Sequence, residues 1–255
     1  MQSPSQESVL VDAHCHIDLY PSPQEIVALV EKAQVHTIAV TNAPFVFRHT
    51  QELSKGSQYL HPALGMHPEL IKSHGSQLDQ MLSLLEETRF IGEVGLDYVT
   101  SDRTLRQQQS AIFTRILEEC AGSGDKVITV HSRRAARDVI AAVGPDFPGT
   151  VILHWFSGAL SDLRKAISFG LWFSVNYAMT ESANGQAILA ELPIERVLTE
   201  TDGPFLKVGG VPQRPPDVAA VLPTLAQIWN VDEAEAKRVV AENFLSLIRD
   251  ATDAP

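Results

Sequence analysis

The sequence predicts an α/β fold, a closed (β/α)8 barrel with an additional C-terminal helix, and three observations carry that expectation. Short apolar runs alternate eight times with longer segments of helical period, the pattern of parallel strands joined by crossover helices. The chain has 255 residues, a length at which α/β barrels form one domain. The glycine-rich phosphate fingerprint that an open doubly wound sheet carries after its first strand is absent.

The elements follow in order. VLVD at 9–12 reads as a first strand and 24–34 as a helix; HTIAVT at 36–41 is a second strand, with a helix near 48–56. Strands at 59–65 and 90–95 (FIGEVG) are followed by helices at 78–88 and 105–121, the first of which lies between the two strands. A fifth strand at 127–130 and a sixth at 151–153 precede helices at 135–143 and 160–169. A seventh at 171–175 and an eighth at 196–199 precede helices at 185–192 and 217–229, and 232–248 is the extra C-terminal helix. The Pro/Gly-rich stretch 207–216 reads as one loop after the eighth strand. No low-complexity tract or linker interrupts the pattern, so one domain over 1–255 is expected, with residues 1–7 flexible.

Composition bounds the function. Hydrophobic residues are 44% and charged residues 20%, ordinary for a folded soluble protein. The formal net charge of −11 argues against holding nucleic acid by broad charge neutralisation, though not against a local cationic site. Two cysteines, Cys15 and Cys120, make no disulfide framework and read as core packing in a reducing compartment. The N-terminus has neither a basic region nor a long apolar run, so a cytoplasmic location is expected.

The chemistry lies where the polar residues fall. His14 and His16 follow the first strand, Glu93 sits in the fourth, and His131, His154 and Asp202 follow the fifth, sixth and eighth. In a parallel barrel these positions share one mouth, and imidazole with carboxylate is the donor set of a divalent-metal site. H-x-H in extended chain puts both rings on one face. Glu93, in an apolar strand, needs a metal or an internal base such as Arg133 to offset its burial. Asp97, two residues beyond Gly95 at the end of that strand, either supports a ligand from behind or caps the loop that follows, and the cap is the preferred reading. Two ions bridged by a carboxylate activate water and neutralise phosphoryl charge. Asp202 is then both a ligand and the base that takes a proton from the attacking water.

These residues together resemble the TatD family of metal-dependent deoxyribonucleases, in the amidohydrolase superfamily. The family's signatures appear in order as VDAHCHID, GMHPE, IGEVGLDY, VHSR, HWFSG and ETDGPFL, and AENFLSLI is similar to its C-terminal segment. The resemblance implies a TIM-like barrel and two divalent ions, Mg, Mn or Zn. His14, His16, Glu93 and Asp202 would hold one, and Glu93, His131 and His154 the other. It also implies that His67 faces the substrate or a third ion, and that Arg133 lies near the phosphate. Trp155 stands where the family has Cys, and 213–216 (QRPP) replaces its Arg-Asn-Glu-Pro. The first is expected to alter packing, the second the anchoring of a loop. The segments VDAHCHIDLYP and IAVTNAPFVF look closer to the TatD-like subunit of Qat anti-phage defence systems, which implies partner subunits.

The leading expectation is a DNase or exonuclease acting on short or single-stranded DNA ends. The alternatives are a metal-dependent hydrolase of a small ester, amide or lactone, and an assembly subunit of a defence complex with little activity. Two ions would add about +4 at the mouth of an acidic protein, which favours a small footprint on a strand end.

Overall fold

The computed structural model describes residues 9–249; the expectation for residues 1–7 lies outside them. Eight parallel strands lie in sequence order: β1 (Leu10–Cys15), β2 (Val35–Ala39), β3 (Leu60–Leu64), β4 (Phe90–Gly95), β5 (Val127–His131), β6 (Thr150–His154), β7 (Trp172–Val175) and β8 (Val197–Thr199). The loop after β8 closes the ring onto β1 through the Asp202 N–H donated to His14 O (2.9 Å) and the His16 N–H donated to Gly203 O (2.8 Å). The expected TIM-like (β/α)8 architecture is what the chain forms. Strands buried on both faces account for the near-continuous apolar runs.

The helices are α1 (Pro23–Ala33), α2 (Phe47–Leu53), α3 (Ile71–His74), α4 (Leu78–Leu84), α5 (Arg103–Ser123), α6 (Ala136–Val143), α7 (Leu160–Ser168), α8 (Tyr177–Glu181), α9 (Ala183–Leu189), α10 (Leu222–Trp229) and α11 (Glu233–Arg249). Local chemistry sets their ends. Pro23 opens α1, the Asp102 carboxylate accepts the Thr104 N–H (2.9 Å) at the start of α5, and Gly124 ends α5 in the left-handed region. The sequence pattern merges or misses the shortest pieces. Helix 78–88 is α4 followed by a 3-10 turn, the helix expected at 217–229 is a 3-10 segment running into α10, and α3 and α8 have no counterpart in the pattern. Stretch 207–216 contains a small hairpin, Lys207–Val208 with Val211–Pro212, rather than plain loop.

The additional C-terminal helix closes the floor of the barrel. Asn243 on α11 donates to Ile194 O (2.8 Å) and Val197 O (2.9 Å) at the start of β8, and Arg89, just before β4, donates to Ile248 O (3.1 Å). Between these points the fully buried Phe244 packs against His36 of β2 and His61 of β3. The helix therefore covers the end at which β2, β3, β4 and β8 begin, and the carboxyl ends of the strands open at the other. Among the described residues, no helix is long and apolar enough to cross a membrane.

Candidate metal centre

The two irregularities in strand pairing fall on site residues. The β1–β2 register shifts between Asp12 and Cys15, around His14, and the β4–β5 register shifts between Ile91 and Val94, around Glu93. Such breaks re-aim a side chain that regular alternation would point elsewhere. Glycines make the space. A Cβ on Gly95 would lie 2.1 Å from His131 O, and one on Gly65 would lie 1.8 Å from Thr41 O. Larger residues there would push apart the strands that carry Glu93 and His131.

Glu93 is the hub of the mouth, nearly fully buried, and its two oxygens face different histidines. Oε2 lies 3.4 Å from His14 Nε2 and 3.3 Å from His16 Nε2. Oε1 lies 2.6 Å from His131 Nδ1, 3.0 Å from His154 Nε2 and 3.3 Å from His67 Nε2. Asp202 Oδ1 closes the first group, 3.6 Å from His16 Nε2 and 3.9 Å from His14 Nε2. The structure thus brings together His14, His16, His67, Glu93, His131, His154 and Asp202. Arg133 borders the same cavity of about 650 Å³ but pairs with Asp97 and Glu69, so it is not the internal base for Glu93.

Outer contacts fix the ring orientations. Thr129 Oγ1 bonds His14 Nδ1 at 2.7 Å, leaving Nε2 toward Glu93. Asp97 Oδ2 bonds His131 Nε2 at 2.8 Å, leaving Nδ1 inward. Glu200, held by Asn176 (2.9 Å) and Ser174, lies 3.6 Å behind His154 Nδ1. The loop cap expected of Asp97 is present, since Oδ1 accepts the Val99 N–H (2.8 Å), but the carboxylate also holds His131 and Arg133 Nε. His67 Nδ1 accepts the Glu69 N–H (3.1 Å), which turns Nε2 toward the cavity.

The electrostatics show charges in want of partners. Burial alone would raise the Glu93 carboxyl, but the charges of His67, His154 and His14 and the bond from His131 outweigh it and hold it well below the usual range. Burial would lower His16, yet the carboxylates of Asp202 and Glu93, 3.6 Å and 3.3 Å from its Nε2, carry it up to about 9. His154 rises against its burial through Glu93 and Glu200. His14, where burial and the charge of His154 dominate, is pushed down. Among the described residues, His14 Nε2, both His16 ring nitrogens and His154 Nδ1 are buried with no hydrogen-bond partner. Ring nitrogens left open around a two-sided carboxylate suit divalent ions, and the triads His14–His16–Glu93 and His67–Glu93–His131 each gather donor atoms within 4.8 Å. The donor set fits.

Sequence reasoning missed part of the outer wall. Thr129, two residues before His131 on the same strand face, was legible by alternation; the roles of Glu200 and of Phe205, 57% exposed and edge-on to His16 at 4.9 Å, were not. Trp155, expected to affect packing alone, also lines the cavity.

A sequence model of the family described as TatD related DNase matches residues 11–249. The human deoxyribonuclease TATDN3 is 27% identical over 93% of this chain and 94% of its own length. The metal-dependent hydrolase YjjV of Escherichia coli K12 is 27% identical over 93% of this chain and 96% of its own. The YjjV crystal structure superposes with a TM-score of 0.84, covering 93% of this chain and 97% of that one. A TatD family hydrolase from Entamoeba histolytica, 18% identical, shares the fold with a TM-score of 0.77 over 95% of this chain and 99% of its own.

Proposed function

The chain belongs to the TatD-related DNase family, and from that premise we propose that it is a cytoplasmic metal-dependent nuclease that removes nucleotides from single-stranded or frayed DNA ends. The observation that carries this reading is the division of Glu93, one oxygen toward His14 and His16 and the other toward His131 and His154. His14, His16, Glu93 and Asp202 would hold one divalent ion, and Glu93, His131 and His154 a second, Mg, Mn or Zn. Bound there, such ions would neutralise charge on a phosphoryl oxygen and acidify a water.

The chain's own residues supply the rest. Asp202 is the acid of the cluster most open to the cavity, its side chain 10% exposed against 3% for Glu93, which suits it to accept a proton from the attacking water. His67, whose Nδ1 is engaged by the Glu69 N–H, presents Nε2 to the cavity, toward the substrate or a third ion. Arg133, anchored at 2.8 Å by Asp97 and at 2.6 Å by Glu69, stands at the cavity wall as a planar donor for a phosphate. The N-terminal likeness to Qat subunits extends the reading to phage defence with partner subunits. Loss of protection on Glu93→Ala in the intact gene set would support that extension.

The direct test is nucleotide release from end-labelled single-stranded DNA with Mg²⁺ or Mn²⁺. Release by the wild type and its loss in Glu93→Ala and Asp202→Asn is the expected result. Unchanged release in both variants overturns the assignment, as does turnover of simple esters with DNA left intact.

A further inference from the structure

Beside the metal centre lies a second cavity of about 530 Å³ that the proposed cleavage does not use. It shares Arg133 and Ser157 with the first, so the two cavities adjoin across the carboxyl ends of β5 and β6. Three of the chain's 20 Lys and Arg residues line it, Arg133, Arg134 and Arg137, within five positions of sequence. Asp138 and Asp162 share the lining, so the wall sets three positive charges against two negative in a chain of net charge −11.

Three acids near the groove are already paired with its arginines: Asp97 and Glu69 hold Arg133, and Asp162 lies 3.5 Å from Arg137 Nε. Arg134 and Arg137 are both exposed, and Arg134 makes no ion pair or hydrogen bond among the described residues. The groove wall also includes the start of α6, where the N-cap residue Ala135 has no side-chain acceptor to offer the first helical amides. Guanidinium forks and uncapped amides together favour a phosphate over a neutral ligand.

We infer that the groove formed by Arg134, Arg137 and the start of α6 binds the phosphate adjacent to the scissile one, so that the enzyme reads at least two successive phosphates of a DNA strand. This rests on the nuclease reading and sharpens its substrate. A mononucleotide or a small diester fills the first cavity alone, whereas an oligonucleotide reaches the second. Arg133 belongs to the shared wall, while Arg134 and Arg137 act on the longer ligand only.

The test compares the wild type with the Arg134→Ala/Arg137→Ala double variant on a single-stranded 12-mer and on bis(p-nitrophenyl) phosphate. The 12-mer KM should rise about ten-fold with kcat little changed, while kinetics on the small diester stay as they were. Anisotropy binding of the labelled 12-mer in EDTA gives a readout independent of turnover. There the slope of log affinity against log salt should fall by about 0.7 for each phosphate that is no longer neutralised. The double Lys variant should restore most of both effects. An unchanged 12-mer KM and salt slope overturns the inference, and so does an equal loss on the two substrates. Arginine-dependent binding in a wild type that cleaves no DNA would instead leave the subsite standing and remove the nuclease reading.

Discussion

Each end of the barrel sets histidines beside a phenylalanine, with opposite electrical outcomes. At the mouth, His16 faces Glu93 and Asp202 and is raised to about 9, and Phe205 stands edge-on to it, 57% exposed. At the floor, His36 Nδ1 and His61 Nε2 meet at 3.1 Å beneath the buried Phe244, with no carboxylate among their ring contacts. Burial, helped by the neighbouring His36, lowers His61 to about 3. The same side chain is thus a candidate ligand at one end and a neutral packing group at the other. What differs is whether acids were placed within ionic distance. The mouth carries uncompensated polar atoms that packing alone would not tolerate, and the floor carries a hydrogen-bonded pair that packing explains.

The largest expected effect breaks the mouth. Glu93→Gln keeps the volume but removes the charge that both histidine groups face, and activity should fall by about 10³-fold or more. The rise in melting temperature on adding Mn²⁺ should vanish with it, because metal that binds only the folded state stabilises that state. A variant still stabilised by Mn²⁺ to the wild-type extent would remove Glu93 from the metal centre.

Next in size is the outer support. Asp97→Asn leaves the Val99 cap available to the amide oxygen but loses the carboxylate that fixes His131 and holds Arg133. A drop of roughly 10- to 100-fold in metal affinity is expected, the usual range for such partners. Metal titration by calorimetry checks it, and an unchanged affinity would reduce Asp97 to the loop cap, the preferred of the two readings that the sequence offered.

That shortfall has a physical cause. The ligand candidates were legible because a parallel barrel puts every strand's carboxyl end at one mouth, so position after an apolar run is enough to gather His14, Glu93, His131, His154 and Asp202. Asp97 acts through a ring whose orientation depends on a neighbouring strand, and spacing does not encode it. The same holds for the floor. The amphipathic period of 232–248 says that one face is buried, not that the helix crosses beneath β8 to β4 and covers His36 and His61. Helices of four or five residues, such as α3 and α8, are too short to show a period at all.

The floor pair makes the third prediction. With His61 near 3 when folded and near 6.5 when unfolded, protonation favours the unfolded chain as pH falls below 6.5. The pair's contribution is therefore complete above that value and is lost progressively toward pH 3, by about 2 kcal/mol at pH 5. His61→Gln should shrink the difference in denaturation free energy between pH 7.5 and pH 5 by up to that amount, with DNA cleavage at pH 7.5 unaffected. An identical pH dependence would mean that the floor histidines are more solvated than their packing under Phe244 indicates.

The smallest effect separates the two phenylalanines. Phe244 is fully buried and holds the floor, whereas Phe205 gives up most of its surface to solvent at the rim of the metal centre. An exposed ring at that place contributes little to folding, so its value must lie in what it meets there. A nucleobase stacked on such a ring is worth about 1 kcal/mol or somewhat more. Phe205→Ala should accordingly raise KM for a single-stranded 12-mer about five-fold while leaving the melting temperature within a degree or so of wild type. Because stacking needs a π-face rather than a particular residue, Phe205→Tyr should keep the wild-type KM. If alanine lowers stability instead and leaves KM alone, Phe205 packs His16 as Phe244 packs His61, and the two ends of the barrel are more alike than their exposure makes them.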